Sequence, residues 1–167
     1  MKKFLTILGI FGSLTVAQAQ SYVAELAGNQ EVPPNSSPGY GDADFTLSGT
    51  TLSVNLGTGS YTDLLGNSSA VTINDASPNG YGYNGPVIFA LSLNSPGSTS
   101  GTFNGSGTLT TQQILDLNAG DLYVNLRSNV YPSGEIRGEL EAVPEPSALA
   151  LIGTGALALL ARRRGKI

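Results

Sequence analysis

The run from Tyr40 to Ser48 alternates without a break, with Ala43, Phe45 and Leu47 on one face and Asp42, Asp44, Thr46 and Ser48 on the other. A period of two is the repeat of an extended strand, whose successive side chains point to opposite faces, and no helix gathers such apolar residues on one side. After Gly49, Thr50 and Thr51 the spacing resumes in Leu52, Val54 and Leu56, so a half-buried hairpin is expected. Tyr22 to Leu26, Ala70 to Asn74, Val87 to Leu93, Ser100 to Leu109, Leu122 to Arg127 and Glu135 to Leu140 read as further strands, separated by clusters of Gly, Asn, Ser and Pro. Only Thr111 to Leu117 reads as helix, with Thr110 or Thr111 as its N-cap and Gly120 as its stop. Eight or so short strands around one core predict an all-β fold. It is a single antiparallel, Greek-key-like sandwich or barrel over residues 20–141, with one short helix near 111–117.

Composition removes whole classes of chemistry. The 167 residues include no cysteine and no histidine, so thiol nucleophiles, Ser-His-Asp triads, zinc fingers, disulfides and imidazole metal sites are excluded. No catalytic residue, cofactor or metal is expected. Between residues 20 and 146 only Arg127 and Arg137 stand against twelve acids, with no lysine, a net charge of −10. Such a body repels phosphate backbones, so nucleic acid is not an expected partner.

Six of the eight cations lie in the two ends. Residues 1–19 have a basic start, an apolar run from Phe4 to Val16 and the triplet Ala17-Gln18-Ala19, the form of a secretory signal peptide cut by signal peptidase after Ala19. At the other end Pro144-Glu145-Pro146 precedes the uncharged stretch 147–161 and then Arg162, Arg163 and Arg164. As a helix that stretch covers roughly 22 Å, short against a hydrocarbon core of about 30 Å, which suits transient membrane insertion of the tail.

This tail, residues 142–167 with its motif, hydrophobic helix and basic cluster, resembles the PEP-CTERM sorting signal of exopolysaccharide-producing Gram-negative bacteria. The resemblance implies an exosortase-type processing enzyme as partner, a membrane-anchored precursor, and delivery to the cell surface or extracellular matrix. An ordinary single-span anchor is the alternative.

Three islands of the body resemble the CHRD domain, named from chordin. The first is Leu26 to Pro34, containing Glu31, Val32, Pro33 and Pro34, and the second is Asn84 to Leu91. The third runs from Gly120 to Leu126 and on through Tyr131 to Leu140, with Glu135, Ile136, Arg137 and Gly138. Members of that family often carry a His-x-His element ahead of the second island and another His after the Tyr-Val-Asn of the third. Thr72-Ile73-Asn74 and Leu126-Arg127 stand there instead, so no metal role carries over.

Glu31, Pro33, Pro34, Glu135 and Arg137 are expected to be structural. Arg137 lies between same-face acids at Glu135 and Glu139, and is expected to pair with Glu31 or with these strand neighbours, tying the amino-terminal arm to the last strand. The two prolines hold the chain extended where the first strand exits. Tyr81, Tyr83, Tyr123 and Arg127 form a speculative ligand face, an aromatic shelf with a cation that suits sugar rings. The pair Asp42 and Asp44 does not meet the spacing of a calcium loop and reads as solvated. The expected function is that of an exported, non-catalytic binding or structural protein, with extracellular polysaccharide or a surface protein as partner. The alternatives are an extracellular glycan-acting enzyme using two carboxylates, and a permanently anchored envelope protein.

Overall fold

The computed structural model describes residues 19–144. The signal segment with Ala17, the rest of the sorting motif at Glu145 and Pro146, the stretch 147–161, and Arg162, Arg163 and Arg164 lie outside the described residues. Ala19 and Pro144 lie at their two limits.

The alternating runs are strands. They are β1 (Gln20–Ala27), β2 (Tyr40–Ser48), β3 (Thr51–Val54), β4 (Ser60–Thr62), β5 (Ser68–Asp75), β6 (Val87–Leu93), β7 (Gly101–Asn104) and β8 (Ser106–Thr108). The helix α1 (Thr111–Ala119) and the strands β9 (Leu122–Ser128), β10 (Ile136–Glu139) and β11 (Glu141–Ala142) complete the chain. Three pairs act as single strands with an interruption. Both β3 and β4 lie along one edge of β2, β7 and β8 meet at Gly105 (φ +141°), and β10 and β11 share one register against β1.

So counted, eight strands close on themselves, because β1 pairs with β2 along its whole length as well as with β10 and β11. Around the ring the order is β1, β2, β3/β4, β7/β8, β6, β5, β9, β10/β11, every pairing antiparallel. The sequential hairpins β5, β6 and β7/β8, with β9 returning beside β5, make a Greek key. Closure leaves no long unpaired edge. Of the two architectures expected for an all-β chain, the molecule adopts the barrel.

Inward-facing residues fill its centre. Tyr22, Phe45, Ile73, Leu126 and Ile136 are all inaccessible to solvent, each contributing about 1.5–3 kcal/mol by leaving water. The helix starts where expected. Thr110 Oγ accepts from the Gln113 N–H while the Gln113 side chain accepts from the Thr110 N–H, a capping box. It ends at Gly120, whose φ of +83° is left-handed. Helix α1 runs two residues beyond the expected Leu117, buries that leucine in the core, and accepts the Tyr22 hydroxyl at Asn118 (2.8 Å).

Two expectations fail locally. Leu56 does not continue an apolar face and is 99 % exposed, because the ladder stops at Val54 and a turn closed by Thr58 N–H to Asn55 O (3.2 Å) carries the chain outward. The expected strand from Ser100 to Leu109 is divided, because the backbone at Gly105 interrupts the ladder, leaving β7 paired with β6 and β4 and β8 with β3.

Candidate functional site

Strands β5, β9 and β10 present a row of polar residues on the outside of the barrel. Cross-strand registers place Thr72 and Arg137 on either side of Asn125, and Asn74 and Glu139 on either side of Tyr123. Two irregular segments cover this patch. One is the arm that leaves β1, a single 3-10 turn over Gly28–Gln30 followed by Glu31 to Pro34. The other is the loop from Ala76 to Pro86 that joins β5 to β6.

Arg137 holds the three layers together. Its side chain is 0 % exposed, although it stands on the outer face of the wall. Nε donates to Glu139 Oε1 (3.0 Å), which lies 2.9 Å from Nη2 in an ion pair, Nη1 donates to Asn84 Oδ1 (3.2 Å), and Nη2 donates to the Tyr83 carbonyl (2.9 Å). The guanidinium lies over the Tyr123 ring, 3.5 Å from its centroid. A buried cation needs this saturation, since an unpaired charge in such a place costs several kcal/mol. Asn84 in turn donates to the Val32 carbonyl (2.6 Å), so the loop holds the arm. The Tyr123 hydroxyl stitches the loop again, accepting from Gly85 N–H (3.0 Å) and donating to Gly85 O (3.3 Å).

Of the expected partners of Arg137, Glu139 is its ion pair, whereas Glu135 serves elsewhere. The Glu135 carboxylate, fully buried, accepts from the Ser37 hydroxyl (2.7 Å), from Gly66 N–H (3.3 Å) and from Leu65 N–H. With the Asn35 amide donating to the Glu135 carbonyl (3.0 Å), it anchors the chain after the arm. Pro34 borders a hollow beside the arm, and the Val32-Pro33 peptide is cis.

Glu31 makes no ion pair among the described residues. Its side chain packs on Gly134, where any Cβ would overlap the carboxylate, and Oε1 is buried without a hydrogen-bond partner. Burial pushes the carboxyl up to about 7. The nearby Arg137, the Val32 N–H and Arg127 hold it back only in part, and Glu139 adds a small push upward. A carboxyl whose pKa is higher in the fold than in the open chain holds its proton more tightly when folded. The stability it contributes is therefore fully present below the ordinary value of 4.5 and is lost as pH rises through about 7. Thermal melts between pH 5 and 8 are expected to show stability falling by about 2 kcal/mol, and Glu31→Gln to remove most of that slope. Asp75, which its own burial also raises, contributes with the same sign from its ordinary value of 3.8 upward. A slope unchanged by Glu31→Gln refutes the assignment.

Three hollows surround the arm. The first, of about 220 Å³, is bordered by Glu25, Glu139, Glu141 and Tyr81. The second, of about 390 Å³, lies between Glu31, Val32, Pro34, Tyr81 and Glu139. The third, of about 230 Å³, lies between Glu31, Asn74, Asn84, Tyr123, Asn125 and Arg127.

The four residues of the expected aromatic shelf are thereby divided. Tyr81 is exposed over the first two hollows, and Tyr83 is exposed and contributes its carbonyl to Arg137. Tyr123 is buried, its ring taken by Arg137 instead of Arg127, while Arg127 stands at the third hollow. Asn74 and Arg127, at two of the positions without imidazole, meet in that same hollow. Thr72, buried in the same outer row, does not line the hollow and donates to Asn74 Oδ1 (2.7 Å). Asp42 and Asp44 are exposed, and among the described residues no group of three or more acidic side chains converges to hold a metal ion. Asn84 and Asn125 are polar residues of the site to which the sequence reading gives no role of their own, although both lie in its islands of resemblance. Asn125 lies on the same alternating face as Tyr123 and Arg127, a signal that was available.

A family model described as CHRD domain matches residues 22–140. A second, described as PEP-CTERM protein-sorting motif, matches residues 142–164. No curated protein and no solved structure matches the chain.

Proposed function

The chain belongs to the CHRD domain family and carries a PEP-CTERM sorting motif, and from that premise we propose that it is exported, processed by an exosortase-type enzyme, and retained at the cell surface or matrix as a non-catalytic binding protein for extracellular polysaccharide. The observation that carries this is the junction. The Val143 N–H still donates to the Ser21 carbonyl in the barrel wall (2.9 Å), and the motif begins at Pro144. At the other end β1 starts at Gln20, directly after the expected cut at Ala19. Removal of both ends thus leaves the barrel whole, as suits a cargo domain between two addresses.

The binding role is supported by the use of charge. The buried groups Arg137, Glu139 and Glu135 are committed to joining arm, loop and wall, and three hollows with an exposed tyrosine lie beside them.

The intact mass of the protein recovered from the host's surface fraction is expected to lack both ends, and that protein is expected to be retained on the host's own extracellular polysaccharide. A mass that includes 147–167 favours the permanent anchor, and failure of retention refutes the binding role. A second reading, a glycan-acting carboxylate enzyme, draws on Glu31 and Glu139 bordering one hollow beneath Tyr81. It requires release of reducing ends from the polysaccharide, abolished by Glu31→Gln. Without such release the non-catalytic reading stands.

A further inference from the structure

We infer that the hollow between β9 and the arm is a subsite for one ring of a neutral sugar, gripped through its hydroxyl groups, which rests on and deepens the polysaccharide-binding reading above. Two oxygens of the residues that line it, Glu31 Oε1 and Asn125 Oδ1, are buried with no hydrogen-bond partner. Glu31 is only 5 % exposed and Asn125 only 4 %, so neither is a surface group with bulk water to serve it. A buried acceptor left empty costs about 1–3 kcal/mol, and two such acceptors on side chains that line one hollow mark a place where donors are met once those terminal groups turn to face it. Arg127, partly exposed at the same hollow, makes no ion pair among the described residues and has donors to give.

These requirements select a ligand. It has to donate to two acceptors and accept from a guanidinium within about 230 Å³. A hydroxyl does both at one atom, and neighbouring hydroxyls on a pyranose ring present several such atoms in a fixed arrangement. A metal cation fits poorly, because both Arg127 and Arg137 lie close enough to act on the Glu31 carboxyl. A uronate would satisfy Arg127, but it brings a second carboxylate beside Glu31, and residues 20–146 carry a net −10 that repels a polyanion. An uncharged hexose ring matches donors and acceptors without either conflict. The rest of the polymer continues out of the hollow past Arg127.

The test is titration of the full chain in mild detergent with cellohexaose, laminarihexaose and mannohexaose, followed by amide NMR, with trigalacturonate as the charged comparison. At least one neutral hexaose is expected to bind, shifting the side-chain amide of Asn125 and the backbone signals of Val32, Gly85 and Ser133. Arg127→Met, at a partly exposed position, is expected to fold normally and to weaken binding about tenfold. Glu31→Gln, which puts an amide in place of a carboxylate, is expected to weaken it similarly while stabilising the fold above pH 7, an opposition that a purely structural role does not produce. Absence of binding by all three hexaoses, shifts elsewhere on the barrel, or tighter binding of trigalacturonate overturns the inference. If the host polysaccharide retains the wild type and Arg127→Met equally, the hollow is wrong and the binding role survives. If it retains neither, the binding role fails as well.

Discussion

Replacing Arg137 with methionine is expected to destabilise the barrel by about 3–5 kcal/mol, on the order of 10 °C or more in Tm. The size follows from what is left behind. Methionine fills much of the space over the Tyr123 ring, so the packing loss is small, but Glu139 becomes a buried carboxylate with neither oxygen paired. The Tyr83 carbonyl and Asn84 Oδ1 also lose their donors, and with them the loop that holds the arm loses one of its ties to the wall. Two companion variants isolate the cause. Glu139→Gln placed on Arg137→Met is expected to recover part of the loss, because the orphaned charge is then gone. Arg137→Lys is expected to rescue little, since a single ammonium cannot reach Glu139, Asn84 and Tyr83 from one position as the flat guanidinium does. A thermal melt of Arg137→Met that coincides with the wild type shows that the network carries no stability.

The second large effect is expected at Gly85, where alanine is predicted to cost about 3 kcal/mol or more. A Cβ at this position would overlap the carbonyl of Asp75 and crowd Cα of Ala76. Neither neighbour can yield cheaply, because both are backbone and the Asp75 N–H is bonded to the Pro86 carbonyl (3.0 Å) at the same crossing. The strand-like approach of loop to wall is also what lets Gly85 meet the Tyr123 hydroxyl at both its N–H and its carbonyl, so loss of stability and displacement of the tyrosine are expected together. Near-ultraviolet circular dichroism reads the displacement. Gly82→Ala is the control. That residue has a φ of +80° and open space around it, so only conformational strain is expected, about 1 kcal/mol. Equal costs at the two positions contradict the steric account.

Period and punctuation made most of the wall legible in advance. Strands β2 and β6 begin and end where alternation and turn residues place them; β2 buries one face, so its side-chain period admits one register. Strand β4 was missed for the converse reason. It has three residues with one apolar side chain, Tyr61, and is held by its neighbours β2 and β7, which no local pattern reports. Closure of the ring was equally hidden, since it depends on β1 meeting β10 more than a hundred residues later. At the site, the same-strand charges at Arg137 and Glu139 identified their own pair. That Glu135 turns away to serve Leu65 and Gly66 could not be read, because β10 only begins at Ile136 and the direction of a side chain just before a strand follows from the loop it meets. The burial of Tyr123 beneath Arg137 was likewise invisible, being produced by a covering loop and not by the alternation of β9.

The seam of the barrel has a mechanical meaning for a tethered protein. Because Tyr22 pairs with Ala142 and Ala27 with Arg137, the chain enters and leaves the wall at one pole, while the arm and the third hollow lie toward the other and the first hollow, bordered by Glu141, sits nearer the exit. The eight residues of β1 separate the two poles, a standoff of roughly 25 Å along the strand. On the proposed route, whatever grips the outgoing end at Val143 holds the arm and the third hollow outward, so both face the surroundings before the tail is cut.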